Sequence, residues 1–168
     1  MPTLHLMVGL PCSGKTTTAK ILEKEYNALV LTTDKWHIKL FGNDALNKDH
    51  DRNHENVEEL LWEIAVRVLA LGIDVILDFG FWGRGERIYF KKKAKELNVN
   101  FKIHYMDVPV GELYKRLEKR NNESSEAAFL IPKEKMDEYI KMFQPVEQDE
   151  LQEAIEDKIT GRWHNYYA

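Results

Sequence analysis

Several features that mark other classes of protein are scarce or absent in this sequence. It contains one cysteine in 168 residues, so no internal disulfide can form, and this fits a reducing cytoplasmic environment. It has no apolar run of membrane-spanning length, and its first residues lack the regions of a secretory leader. Its net charge of −4 gives no general attraction to nucleic acid. We therefore expect a cytoplasmic protein that binds no membrane and has no extended nucleic-acid-binding surface.

The patterning of the chain predicts an α/β fold in one domain, residues 1–168. A hydrophobic content of 43% is enough for one ordinary core. Short apolar runs near residues 4–8, 28–33, 73–77 and 101–106 alternate with segments whose apolar residues recur at helical spacing. This alternation is typical of a parallel sheet with helices on both faces. The tail at 150–168 gives no clear pattern, and we assign it no structure.

One local motif predicts nucleotide binding. Residues 9–16 fit the phosphate-loop pattern G-x-x-x-x-G-K-[ST], directly after an apolar run and directly before a helical pattern. The glycines allow the backbone to wrap round a phosphate, and the following helix directs its positive end at the same anion. Lys15 would contact the β- and γ-phosphates, and the Thr16 hydroxyl would ligate Mg²⁺. The predicted nucleotide-binding residues are Gly9, Leu10, Pro11, Cys12, Ser13, Gly14, Lys15, Thr16 and Thr17.

Two aspartates follow predicted strands, where an open α/β sheet places its ligand crevice. Asp78 is expected either to complete the Mg²⁺ shell and orient an acceptor, or to cap a helix or form a turn. Asp34 is expected either to accept the proton of an attacking hydroxyl as a general base, or to serve as a plain helix N-cap.

A pair of histidines four residues apart, His50 and His54, lies in an acidic stretch. This spacing places two imidazoles on one helix face, as some zinc sites require. The pattern is not H-E-x-x-H, however, and we favour a polar helix start over the acceptor pocket.

An ordered set of segments makes the chain resemble a known family. The chain is similar to the small bacterial P-loop kinases of the AAA_33 type, which are akin to polynucleotide kinase, chloramphenicol phosphotransferase and the zeta toxins. The resemblance spans about residues 3–150. It rests on residues 8–17, on Thr33-Asp34 with 40–42, on 77–82 with Arg84 and Arg87, on 116–117 with 120–121, and on 131–132 and 143–145.

The resemblance implies a three-layer P-loop fold with sheet order 2-3-1-4-5, a small helical lid at about 112–132, and ATP with Mg²⁺ as cofactors. By analogy the catalytic residues are Lys15, Asp34, Asp78, Arg116 and Arg120, the last two being lid arginines on one helical stripe. Acceptor contacts are expected from Asp34, His37, Asp78, Trp82, Arg84 and Arg87. His37 stands where relatives usually carry an arginine, so a polynucleotide acceptor is less favoured.

Two functions of different classes follow from these observations. The first is a kinase that transfers the γ-phosphate of ATP to a hydroxyl of a small molecule or of a nucleotide or polynucleotide end. The second is an ATP-binding switch or slow ATPase that acts through a protein partner. The motifs do not identify the acceptor or the oligomeric state.

Overall fold

The computed structural model describes residues 1–123 and 128–151. Its sheet contains strands β1 (Thr3–Val8), β2 (Leu29–Thr32), β3 (Val75–Gly80) and β4 (Asn100–Tyr105). The helices are α1 (Lys15–Tyr26), α2 (Thr33–Phe41), α3 (His50–Ala70), α4 (Arg84–Glu96), α5 (Val110–Asn122) and α6 (Lys133–Met142), followed by a 3₁₀ turn at Gln148–Leu151. All strand pairings are parallel, in the order β2-β3-β1-β4. The predicted α/β class with a central parallel sheet is confirmed.

The expected strand order 2-3-1-4-5 is wrong in one detail, because the described residues contain no fifth strand. After β4 the described chain forms only helices and their connections, since its apolar residues recur there at helical spacing. Residues 124–127 and 152–168 lie outside the described residues. The tail at 150–168 falls almost entirely on them, as does part of the predicted lid at about 112–132.

Helices cover both faces of the sheet because successive side chains of a strand point in opposite directions. Leu6 of β1 belongs to a core cluster with Leu61 of α3 and Phe90 of α4. Its neighbour Met7 faces the other way, into a cluster with Ala19 of α1. Each such burial contributes about 1.5–3 kcal/mol for a large apolar side chain. Among the helices of the described ranges, none has the length and apolar character to cross a membrane.

A smaller apolar cluster joins the predicted lid region to the phosphate loop. It contains Leu10 of the loop, Leu113 and Leu117 of α5, Ile131, and Met136 of α6. Leu113 and Leu117 lie one helical turn apart and so share a face. This packing brings α5, with its two arginines, to the same end of the sheet as the loop.

Candidate active site

The loop between β1 and α1 has the backbone shape that its glycines predict. The Gly9 amide donates a 3.1 Å hydrogen bond to the carbonyl of Gly80 at the end of β3. A Cβ atom at Gly9 would lie 2.6 Å from Ser13 Oγ, so a larger residue does not fit without a shift. Gly14 has a φ of +91° immediately before α1, a conformation that glycine adopts at little cost. The sequence thus favours a tight turn that directs the start of α1 at the loop.

Lys15 crosses this loop from the first position of α1. Its Nζ donates a 2.8 Å hydrogen bond to the carbonyl oxygen of Leu10. Burial lowers the pKa of Lys15, while the carboxylates of Asp78 and Asp34 act in the opposite direction. The ammonium group therefore lies against the Leu10 carbonyl and near both predicted acidic residues, where it can bind an anion.

The Asp78 carboxylate lies inside β3, beside the start of α1. Its Oδ2 accepts hydrogen bonds from Thr16 Oγ1 at 2.7 Å and from Thr32 Oγ1 at 3.2 Å. Burial raises the pKa of Asp78, and the Thr16 hydrogen bond opposes this effect. Asp78 occupies a strand and not a helix end, so the structure does not support the helix-cap alternative. A hydroxyl oxygen and a carboxylate here offer the oxygen ligands that Mg²⁺ prefers.

Asp34 lies exposed in the first turn of α2, just beyond the end of β2. Thr32 at the end of β2 is in register with Asp78 of β3, so Asp34 follows a strand end adjacent to Asp78. The charge of Asp34 affects the pKa values of both Lys15 and Asp78. The N-cap position of α2 belongs to Thr32, and so the alternative of Asp34 as the cap is not supported.

Both predicted lid arginines approach the phosphate loop at Cys12. The Nη1 of Arg116 donates a 3.4 Å hydrogen bond to the Cys12 carbonyl, and its Nε donates to Glu112. The Nη1 of Arg120 lies 3.8 Å from Cys12 Sγ, and its Nη2 donates to the carbonyl of Phe129. Their four-residue spacing places both guanidinium groups on one face of α5, over the loop.

Trp82, a predicted acceptor contact, holds the start of the loop. Its Nε1 donates a 3.1 Å hydrogen bond to the carbonyl of Gly9. Its ring packs on Tyr139 of α6 at a centroid distance of 4.7 Å. Trp82 therefore connects the loop to the helices that follow the lid region.

Arg84 and Arg87 were expected to contact the acceptor, but the structure places them against the segment at 143–151. Arg87 is fully buried, and its Nε and Nη2 donate to the two carboxylate oxygens of Glu150 at 2.7 and 2.9 Å. Arg84 forms ion pairs with Glu147 and Asp149, and its Nη1 also lies 3.4 Å from Glu150 Oε1. These carboxylates raise the pKa of Arg84, the Asp149 hydrogen bond having the largest effect. Both charges are balanced within the protein, because each arginine has acidic partners later in the chain.

His37 is also placed differently from the expectation of an acceptor contact. It is 0% exposed on the inner face of α2. Its Nε2 lies 2.6 Å from Asp44 Oδ1, and its Nδ1 lies 3.2 Å from His54 Nδ1. Burial lowers the pKa of His37, while the Asp44 hydrogen bond opposes this. The packing of α2 against α3 gives the reason, because the ring of His37 contacts the rings of His50 and His54 at the start of α3.

Residue spacing gave no sign of three contacts in this region. Thr32 is a second hydroxyl donor to Asp78, and it becomes visible only once β2 and β3 are paired in register. Glu150 and Asp44 are the partners of Arg87 and His37. An acidic residue on a polar stretch carries no local signal that identifies its partner.

A protein-family model matches most of this chain. Residues 4–146 match the AAA_33 family model, described as an AAA domain. No curated protein is significantly similar in sequence.

Solved structures share the fold. A protein from Chloroflexus aurantiacus J-10-fl superposes with a TM-score of 0.68 at 16% identity, over 82% of this chain and 74% of that one. Kti12 of Chaetomium thermophilum, in complex with ADP-AlF3, gives 0.63 at 19% identity, over 84% of this chain and 80% of that one. A sugar kinase from Janibacter sp. HTCC2649 gives 0.63 at 17% identity, over 89% and 81%. Such low identities show a shared fold and nothing more specific.

Proposed function

The chain belongs to the AAA_33 family, and we propose that it is an ATP- and Mg²⁺-dependent kinase that transfers the γ-phosphate to a hydroxyl group. The observation that carries this proposal is the convergence of Lys15, Asp78 and Asp34 at the ends of β1, β3 and β2. A phosphate-binding cation, a metal-binding carboxylate and an exposed carboxylate are the parts that phosphoryl transfer to a hydroxyl requires. We propose that residues 1–168 act as one kinase domain in the cytoplasm, where ATP is the donor.

ATP would bind through residues 9–17. The loop amides and the start of α1 would surround the phosphates, and Lys15 would exchange its hydrogen bond with the Leu10 carbonyl for the β- and γ-phosphates. Thr16 and Asp78 would hold Mg²⁺, because their oxygens already lie 2.7 Å apart. When bound, the ion supplies charge neutralisation on the phosphate oxygens.

Asp34 is the proposed general base. It is exposed, so an acceptor hydroxyl can approach it, and it follows the strand next to that of Asp78. As the hydroxyl oxygen attacks the γ-phosphorus, its proton passes to the Asp34 carboxylate and the bond between phosphorus and ADP breaks. Lys15 stabilises the charge that remains on the phosphate oxygens.

Arg116 and Arg120 are proposed to complete the site from α5. Both guanidinium groups contact Cys12 within the loop, so a short movement would bring them to the phosphates. Fixed cations near the transferring group stabilise the charge of the transition state. Their contacts within the loop, the carbonyl and the thiol of Cys12, are neutral acceptors that a phosphate oxygen can replace.

The acceptor is proposed to be a hydroxyl of a small molecule or of a nucleotide or polynucleotide end. Asp34, Asp78 and Trp82 remain the candidate contacts. Arg84, Arg87 and His37 have partners inside the protein and are not needed for this proposal. A net charge of −4 favours an acceptor that binds in a local pocket over a nucleic acid that binds along a basic surface.

A phosphoryl-transfer screen tests the proposal. Purified protein would be incubated with Mg²⁺ and γ-labelled ATP against pooled nucleosides, 5′-hydroxyl oligonucleotides, sugars, aminoglycosides and chloramphenicol. A labelled product that is absent with Lys15→Ala would support the kinase and identify the acceptor class. Slow release of phosphate that depends on Lys15, without any labelled product from these pools, would contradict it and favour the ATP-binding switch.

A further inference from the structure

A partly buried histidine cluster lies between α2 and the start of α3, one helical turn along α2 from Asp34 and outside the proposed phosphoryl-transfer machinery. It is formed by His37 of α2, Asp44 in the connection after α2, and His50 and His54 at the start of α3. Their side chains are 0%, 9%, 22% and 28% exposed, respectively. Buried imidazoles and a carboxylate in contact are a costly arrangement unless the groups are satisfied together.

Three ligand atoms converge within this cluster. Asp44 Oδ1 lies 2.6 Å from His37 Nε2 and 2.7 Å from His50 Nδ1. All three atoms lie within 4.8 Å of one another. Two ring nitrogens that point at one carboxylate oxygen can act as ligands of one cation. The cation would replace the protons that now lie between the nitrogens and the oxygen.

Further contacts hold two of these side chains in orientation. Asn53 Nδ2 donates a 3.0 Å hydrogen bond to Asp44 Oδ2, which leaves Oδ1 directed at the imidazoles. The other ring nitrogen of His37, Nδ1, lies 3.2 Å from His54 Nδ1, and His54 Nε2 lies 3.5 Å from Glu58. A metal-binding histidine usually has its second ring nitrogen hydrogen-bonded to another group, which fixes the orientation of the ring. His54, itself in contact with Glu58, is in a position to orient His37 in this way.

We propose that His37 Nε2, His50 Nδ1 and Asp44 Oδ1 bind a Zn²⁺ ion. Two imidazoles with one carboxylate suit Zn²⁺, whereas Mg²⁺ prefers oxygen ligands alone. Tetrahedral ligands at about 2.0–2.1 Å from zinc lie about 3.3 Å apart, so each nitrogen must move from Asp44 by about 0.6 Å. A water completes the tetrahedron, since His50 is partly exposed.

The assignment differs from the pairing that spacing alone indicates. His50 and His54 share a helix face, but His54 Nδ1 faces His37 Nδ1, so His54 positions a ligand and does not bind the metal itself. The ligands come from α2, from the connection after it and from α3. Zinc would therefore fix α2, with Asp34 one turn before His37, against α3.

Zinc binding can be measured without any kinase assay. Protein stripped with EDTA and dialysed would be titrated with ZnCl₂ by calorimetry, and the metal content measured after dialysis. We expect one ion per chain and a higher Tm for the zinc-loaded protein than for the stripped protein. Co²⁺ in place of Zn²⁺ should give the visible absorption of a tetrahedral site.

Variants distinguish this site from adventitious binding. His50→Gln and Asp44→Asn each remove a ligand, and we expect affinity for Zn²⁺ to fall at least about 100-fold. His54→Gln removes a supporting contact and should weaken binding about tenfold. Asp49→Asn, an exposed carboxylate beside the cluster, is the matched control and should bind as wild type does. Circular dichroism verifies that each variant is folded. The proposal is overturned if the wild type binds no stoichiometric zinc, or if folded His50→Gln and Asp44→Asn bind it undiminished.

Discussion

The Thr16 hydroxyl donates a 2.7 Å hydrogen bond to the Asp78 carboxylate across 62 residues of sequence. This contact exists because β1 and β3 are parallel neighbours, so the residues that follow β1 meet the carboxyl end of β3. A hydroxyl and a carboxylate that already touch need little rearrangement to share a metal ion. The proposed kinase chemistry depends on this pairing and on the loop beside it.

Lys15→Ala should weaken ATP binding about 30- to 150-fold, since a hydrogen bond to a charged group contributes about 2–3 kcal/mol. Calorimetric titration with a non-hydrolysable ATP analogue measures this. Lys20→Ala is the matched control, because Lys20 is an exposed lysine of the same helix. Unchanged affinity in Lys15→Ala would exclude the loop as the nucleotide site.

Trp82→Phe should loosen the start of the phosphate loop. The change keeps an aromatic ring against Tyr139 but removes the Nε1 donor to the Gly9 carbonyl. We expect the free energy of unfolding to fall by about 0.5–1.5 kcal/mol and ATP affinity to fall a few-fold. Urea unfolding and the same titration provide both numbers, and wild-type values for both would show that this hydrogen bond has no role.

Arg87→Met should lower the free energy of unfolding by about 3–5 kcal/mol, because it removes both hydrogen bonds from Arg87 to the buried Glu150 carboxylate and leaves that carboxylate a longer, 3.4 Å ion pair with Arg84. The double change Arg87→Met with Glu150→Leu should recover much of that loss. Arg84→Gln is the control: its pairs with Glu147 and Asp149 lie at the surface and Arg87 still pairs with Glu150, so it should cost less than about 1 kcal/mol. Chemical denaturation measures all three.

The same variants test the earlier expectation that Arg87 contacts the acceptor. If Arg87 did so, the double variant would be stable but would have a much higher KM for the acceptor. A KM close to that of the wild type would agree with a purely structural role.

His104 should make stability depend on pH. Burial, followed by the charges of His5 and Lys102, lowers the pKa of His104 to about 4. An unfolded histidine has a pKa near 6.5, so between about pH 4 and 6.5 the unfolded chain binds more protons and stability rises with pH. The contribution of neutral His104 to the free energy of unfolding is therefore fully present above pH 6.5 and is lost as the pH falls toward 4.

Urea unfolding at pH 7 and pH 5 for wild type and His104→Asn measures this effect, together with that of its hydrogen-bonded neighbour His5. Glu86, whose pKa burial raises, contributes with the opposite sign in both proteins and cancels in the difference. We expect the wild type to lose about 1–2 kcal/mol more than the variant between these pH values, after allowance for partial exposure of the ring. Equal losses would show that His104 does not titrate in this way.

The features predictable from sequence were those with a local cause. The phosphate loop and the parallel strands follow from short-range patterns, because glycines with a lysine at fixed spacing, and apolar runs between helical segments, act within a few residues. The fifth strand came from the family resemblance, and the described residues do not contain it.

The pairing of distant polar side chains was not predictable. Arg87 meets Glu150 across 63 residues, and no residue near Arg87 distinguishes Glu150 from other acids. His37 illustrates the same limit. The family resemblance indicated that it contacts the acceptor, but the packing of α2 places it against Asp44 and α3. Such contacts depend on how elements pack, which residue spacing does not encode.

The most direct test of the kinase proposal is the rate of phosphoryl transfer by Asp34→Asn, once an acceptor is known. We expect kcat to fall by about 10²- to 10⁴-fold, the usual contribution of a general base, with ATP affinity retained. Asp51→Asn serves as the control, because Asp51 is likewise exposed in the first turn of its helix. An Asp34→Asn protein that transfers phosphate as fast as the wild type would contradict the proposed mechanism.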